Sequence, residues 1–98
     1  MTGYLRVVAP ASDKRAAIGA IYRALQAPEW ASPNLDGLAD VLRDLSWLPD
    51  GPVRLLWQVA SELPEQDRAG IERVLRKAQE QSSEGYRPLA VRIEPAGP

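Results

Sequence analysis

The sequence predicts an α/β fold in two layers, a three-stranded parallel sheet with helices packed on one face. Three runs rich in β-branched and apolar residues, Leu5 to Ala9, Val53 to Val59 and Pro88 to Ile93, are separated by segments of helical periodicity. Strands joined through helical crossovers pair in parallel. Each run also sets an arginine between apolar neighbours (Arg6, Arg54 and Arg92), which leaves one sheet face toward water and implies two layers rather than three. Solvation of that face is the simpler reading of the three arginines; a site for an anionic ligand is the other. A length of 98 residues fits one small domain spanning 1–98, with a single core.

The elements follow in the order β, α, α, β, α, β. Leu5 to Ala9 is closed by Pro10 and reads as the first strand. Ser12 is the expected cap of a helix from about Asp13 to Gln26, in which Ile18, Ile21, Tyr22 and Leu25 recur at i, i+3, i+4 and i+7 and so face the core. Ala27 to Pro33 is a loop whose backbone is restricted by Pro28 and Pro33. A second helix begins at about Leu35, capped by Asn34, and runs to Leu45. Ser46 to Pro52 is turn-rich, and Val53 to Val59 alternates Val53, Leu55, Trp57 and Val59 against Arg54, Leu56 and Gln58, the clearest strand of the three. Ala60 to Leu63 allows one helical turn before Pro64, a favoured first helical residue. The last helix runs from about Pro64 to Gln81 with Ile71, Val74, Leu75 and Ala78 inward. The third strand precedes a Pro/Gly-rich tail, about 94–98, expected to fray.

Composition narrows the chemistry. The chain has no Cys and no His, which removes disulfides, thiolate nucleophiles, imidazole bases and the common zinc sites, so neither a metal nor a cofactor is expected. A net charge of −1 argues against direct nucleic-acid or membrane binding. The distribution is more telling: residues 29–50 hold five acids against Arg43 alone, or −4, which leaves +3 for the rest of the chain. The N-terminus, Met1 to Arg6, lacks a basic segment followed by an apolar one, and no apolar run approaches membrane-spanning length, so a cytoplasmic location is expected.

The local acid is organised. At about 100° per residue, Leu35, Leu38, Val41, Leu42 and Leu45 gather on one side of the second helix, while Asp36, Asp40 and Asp44 form a ladder nearly opposite. A polar face of this kind serves solubility, but like charges spaced i, i+4 cost a few tenths of a kcal/mol per pair. Stability alone does not ask for the ladder. Gly37 lowers helix propensity by about 1 kcal/mol relative to alanine and is expected to leave room for an approaching surface. Trp30, in the loop ahead of the helix, reads either as an edge of the core or as a binding hot spot beside the acids. Trp47 is open in the same way, covering the bottom of the helix or sitting at a binding edge.

Pro28-Glu29-Trp30, then Asn34-Leu35-Asp36-Gly37-Leu38, then Asp40 and Leu42, resemble the signature of the barstar family, intracellular inhibitors of ribonucleases. The resemblance implies a three-stranded parallel sheet with helices on one side. It also implies a non-enzymatic, antitoxin-like module that occludes the active site of a basic, guanyl-specific microbial ribonuclease in a complex expected to be 1:1. In that reading Asp40 enters the phosphate site with Asp36 beside it, Asp44 and Glu29 steer from the rim, and Trp30 supplies apolar contact. Asn34, Gly37 and Trp47 complete the expected partner-binding set. The family commonly carries a second aromatic and a glycine where this chain has Ala31 and Ser32, and a tryptophan where it has Ala39, so the apolar rim here is smaller. Where some members carry an acid late in the last helix, this chain has Lys77.

Two other functions compete. The same acidic helix suits an immunity or adaptor protein for a different basic toxin or protein partner. Asp36 and Asp40, one turn apart, also allow a carboxylate enzyme or an oxygen-ligated divalent cation, but both are expected on the convex outside of a helix, away from any pocket.

Overall fold

The computed structural model describes residues 5–97, so Met1 to Tyr4, with the reading of the N-terminus, and Pro98 lie outside the described residues. Its elements are β1 (Leu5–Val8), α1 (Lys14–Leu25), α2 (Leu35–Asp44), β2 (Val53–Val59), α3 (Glu65–Ser82) and β3 (Leu89–Pro95). The strands form one sheet in the order β1-β2-β3, and both pairings are parallel. The predicted α/β architecture is the observed one. Each strand is added on the same side of its predecessor, so right-handed crossovers carry all three helices to a single face. No helix among the described residues is long and apolar enough to cross a membrane.

Register identifies the two faces. Val8 lies opposite Trp57, which lies opposite Ile93, and Leu55 lies opposite Val91. Val8, Val53, Leu55, Trp57, Leu89 and Val91 are all buried under the helices, where they meet Ile18, Ile21 and Leu25 of α1, Leu38, Val41 and Leu42 of α2, and Ile71 and Leu75 of α3 in one cluster. The other face shows Arg54, Ala90 and Arg92 to solvent, with Leu5 and Val7 also exposed.

Arg6 breaks the expected pattern. It pairs in register with buried Leu55, so it belongs to the helix-covered side, where its Nη1 donates to the Ala24 carbonyl of α1 at 3.0 Å. Of the three strand arginines, Arg54 and Arg92 solvate the open face.

Helix ends differ from expectation by small, explicable amounts. Asp13 rather than Ser12 caps α1, its carboxylate accepting from the Ala16 N–H at 2.8 Å. Asn34 caps α2 as expected. Pro64 precedes α3 instead of opening it, and Ala60 to Leu63 closes as a turn through Leu63 N–H to the Ala60 carbonyl at 3.1 Å, not as a helical turn. β3 runs two residues past its predicted end, so Glu94 and Pro95 are strand, paired with Gln58 and Val59. Beyond them the Ala96 N–H still donates to the Val59 carbonyl at 2.8 Å.

The outer edge of β3 is closed by α3. Gln79 Oε1 accepts from the Val91 N–H at 2.6 Å, Arg76 Nη1 donates to the Val91 carbonyl at 3.0 Å, and Ser82 Oγ accepts from the Leu89 N–H at 2.8 Å. Side chains thus occupy groups that an added strand would need.

Candidate functional site

The acidic ladder sits on α2, and the local sequence explains how it is held. Asn34 has extended backbone and its side-chain oxygen accepts from the Gly37 N–H at 2.7 Å, which ends the loop and starts the helix. Leu38, Val41 and Leu42 are buried beneath, and Asp36, Asp40 and Asp44 are exposed above. Asp36 falls in the first turn, where the helix dipole favours a negative charge. Gly70 of α3 faces Leu35 closely enough that an added methyl would lie 3.2 Å from Leu35 Cδ1, so the two helices pack tightly at the start of α2.

The three carboxylates are not equivalent. Asp40 is hydrogen-bonded and ion-paired with Arg43, three residues on, and both side chains are more than half exposed. An exposed pair of this type contributes between about 0 and 1 kcal/mol, so a partner with better-placed cations competes for Asp40 at little cost. Among the described residues, Asp36, Asp44 and Glu29 have no arginine or lysine nitrogen within 4 Å. Asp50, also in the acidic segment, is held 2.9 Å from Arg87, whose Nε donates to the Leu48 carbonyl. It fastens the Leu45 to Pro52 connection instead of extending the ladder.

Gly37 does not clear space for an outside surface. It is buried, and a methyl on it would fall 2.2 Å from the Ser32 carbonyl oxygen and 3.0 Å from the Tyr22 hydroxyl. The glycine is required because the loop folds back onto the first turn of α2. Tyr22 secures that fold: its hydroxyl donates to the Ser32 carbonyl at 2.5 Å, so the residue is half-buried with a polar role rather than a plain member of the core stripe.

The two open tryptophans meet edge to face, centroids 6.4 Å apart and planes at 84°. Trp30 is 57 % exposed, whereas Trp47 is half-buried and its Nε1 donates to the Leu25 carbonyl at 2.9 Å. With Arg6 on Ala24, the Gln26 N–H on Arg23 and the Ala27 N–H on Tyr22, this bond completes partners for the last four carbonyls of α1. Trp47 is therefore an anchor that supports Trp30 from behind.

Comparison with known proteins identifies the family. The sequence model of the family described as Barstar (barnase inhibitor) matches residues 7–94. The chain belongs to the barstar family. No curated protein sequence matches it. Membership makes it a protein of the barnase-inhibitor type and implies a ribonuclease as its partner. In the fold, Pro28 to Trp30 forms the turn that presents the exposed indole, and Asn34 to Leu42 forms the cap and body of α2.

Two residues of this barstar-family chain carry roles beyond their place in the helical pattern. Tyr22 has the right spacing for the core and no mark of its hydroxyl's partner ten residues away. Arg43 is legible, since an i, i+3 spacing from Asp40 is itself an ion-pair signal. Lys77 lies with Arg73 across from Asp36, at the rim of a groove between α2 and α3.

Tyr22 also gives the fold a pH limit. Burial, with the nearby Asp40 carboxylate as the lesser cause, pushes its phenol up to about 12 from an ordinary 10. The folded state then holds a proton that the unfolded chain releases between those values. Stability from this group is complete below pH 10 and is lost as pH rises toward 12. Denaturant titrations at pH 9, 10.5 and 11.5 are expected to show a decline in the native protein that is smaller in Tyr22→Phe; equal slopes in the two proteins would refute it.

Proposed function

We propose that the chain inhibits a guanyl-specific microbial ribonuclease by laying α2 across its active site, so that Asp36 and Asp40 take the places of RNA phosphates. The observation that carries this reading is the exposure of Asp36, Asp40 and Asp44 along one side of α2 while Leu38, Val41 and Leu42 fix the other side in the core. A ribonuclease pocket is cationic because it binds RNA and stabilises a phosphoryl transition state. A rigid carboxylate ladder is its electrostatic complement, which raises the encounter rate and disfavours partners of the wrong charge. Inhibition here is occlusion and needs no chemistry from the inhibitor. Asp44 and Glu29 act from the rim, and Trp30, exposed and backed by Trp47, supplies apolar contact near the centre.

The test is direct. Titrating the protein into a small guanyl-specific bacterial ribonuclease is expected to abolish RNA cleavage at a stoichiometry of one to one, with an association rate that falls as salt rises. Undiminished cleavage at a large excess of the protein would exclude the proposal.

Arg43 provides a finer measurement. In Arg43→Ala the Asp40 carboxylate is released from its internal partner and the face gains a negative charge, so inhibition is expected to tighten about two- to fivefold, in line with the strength of an exposed pair. A loss of tenfold or more would instead make Arg43 a donor to the ribonuclease.

A further inference from the structure

The surface beside the acidic ladder is of the opposite sign. α2 and α3 leave between them a groove of about 270 Å³ whose floor includes Ala39, Val74 and Ala78. Asp36 stands on its α2 rim and Arg73 and Lys77 on its α3 rim. Arg73 and Lys77 are one helical turn apart and exposed, and among the described residues neither has a carboxylate within 4 Å. Among the acids of α3, Glu65 and Glu72 pair with Arg68, and Glu72 also approaches Arg76, while Glu80, three residues beyond Lys77, is exposed and lies more than 4 Å from its ammonium. Two like charges at i, i+4 weaken a helix, so this pair answers to no need of α3 itself. The groove is smaller than the cavities that enclose small organic ligands and suits one or two side chains.

We propose that this groove receives a carboxylate side chain from the same ribonuclease that Asp36 and Asp40 engage, with Arg73 and Lys77 as its counter-charges. The inference rests on the inhibitor reading above. Continuity places it there: Asp36 lines the groove and begins the ladder, so a body seated on the ladder reaches Arg73 and Lys77 without moving. The complete face is then two-signed, an acidic stripe along α2 flanked by a basic edge on α3. Its partner carries a basic cleft with an acidic residue at the rim, and ribonucleases whose rim is wholly basic are rejected because their cations meet Arg73 and Lys77.

The experiment compares inhibition of a guanyl-specific bacterial ribonuclease by the native protein, Arg73→Glu/Lys77→Glu and Asp36→Ala/Asp40→Ala. All four positions are exposed, and thermal melts of each variant establish folding. The charge reversal on α3 is expected to weaken inhibition at least tenfold, with inhibition recovered when an acidic residue beside the nuclease cleft is changed to lysine. If the reversal leaves inhibition unchanged or tightens it while Asp36→Ala/Asp40→Ala abolishes it, the groove proposal fails and the inhibitor reading stands. If the native protein does not inhibit, or neither double variant matters, both fall together.

Discussion

Asp40→Ala is expected to weaken inhibition of the target ribonuclease by about 2–5 kcal/mol, roughly thirty- to several-thousandfold, and Asp36→Ala to act in the same direction. That range is the general cost of truncating one member of a buried charge pair, a cost for which complexes of the barstar family are themselves a reference case. The loss is large because the removed carboxylate leaves cations of the nuclease desolvated and without a counter-charge. The same substitution does little to the free protein. It gives up the exposed pair with Arg43, and it relieves the repulsion of Asp40 with Asp36 and Asp44, two small effects of opposite sign. Binding and stability therefore separate, and the check is an inhibition constant beside a thermal midpoint for each variant. Inhibition unchanged in both single variants would end the phosphate-mimic mechanism.

Gly37→Ala is expected to destabilise the fold by about 2–4 kcal/mol, combining an overpacked contact with a lost hydrogen bond. The new methyl would lie 2.2 Å from the Ser32 oxygen, and that oxygen is backbone, so no side-chain rotation relieves the clash. The loop must withdraw from α2 and take with it the Tyr22 hydroxyl bond to Ser32. At roughly 4–8 °C per kcal/mol for a domain of this size, the melting midpoint falls by about 8–30 °C. Gly19→Ala is the control. There an added methyl meets only the end of the Arg23 side chain at 3.7 Å, and the change is expected to stabilise α1 by up to about 1 kcal/mol. Equal effects at the two positions, read by denaturant unfolding, would contradict the packing argument.

The contrast between these glycines shows where sequence reasoning reaches and where it stops. Gly37 is in a helix whose periodicity, cap and charge are all legible, yet its purpose lies in Ser32, brought close by a reversal of the chain that no spacing encodes. Val53 to Val59 is readable to the residue because seven positions of alternation admit only one register. β1 has four residues, too few to decide a face, and its apolar Leu5 and Val7 turn outward while Arg6 turns in to reach Ala24. Ser12 and Asp13 are both good cap residues in adjacent positions, and only the geometry of the first turn separates them. Proline marks the end of β3 too early, because an edge strand tolerates a proline at its last position. The ladder on α2 is legible as a ladder; that Arg43 shares Asp40 and that Trp47 braces Trp30 depends on contacts made by the finished fold.

The crossed indoles have an experimental use of their own. At 6.4 Å and nearly perpendicular, Trp30 and Trp47 are close enough for their ultraviolet transitions to mix, while Trp57, sealed at the centre of the sheet, reports only on the integrity of the whole. One spectrum therefore contains a signal from the loop and a separate signal from the interior, and a ligand that disturbs Trp30 is visible without any attached dye.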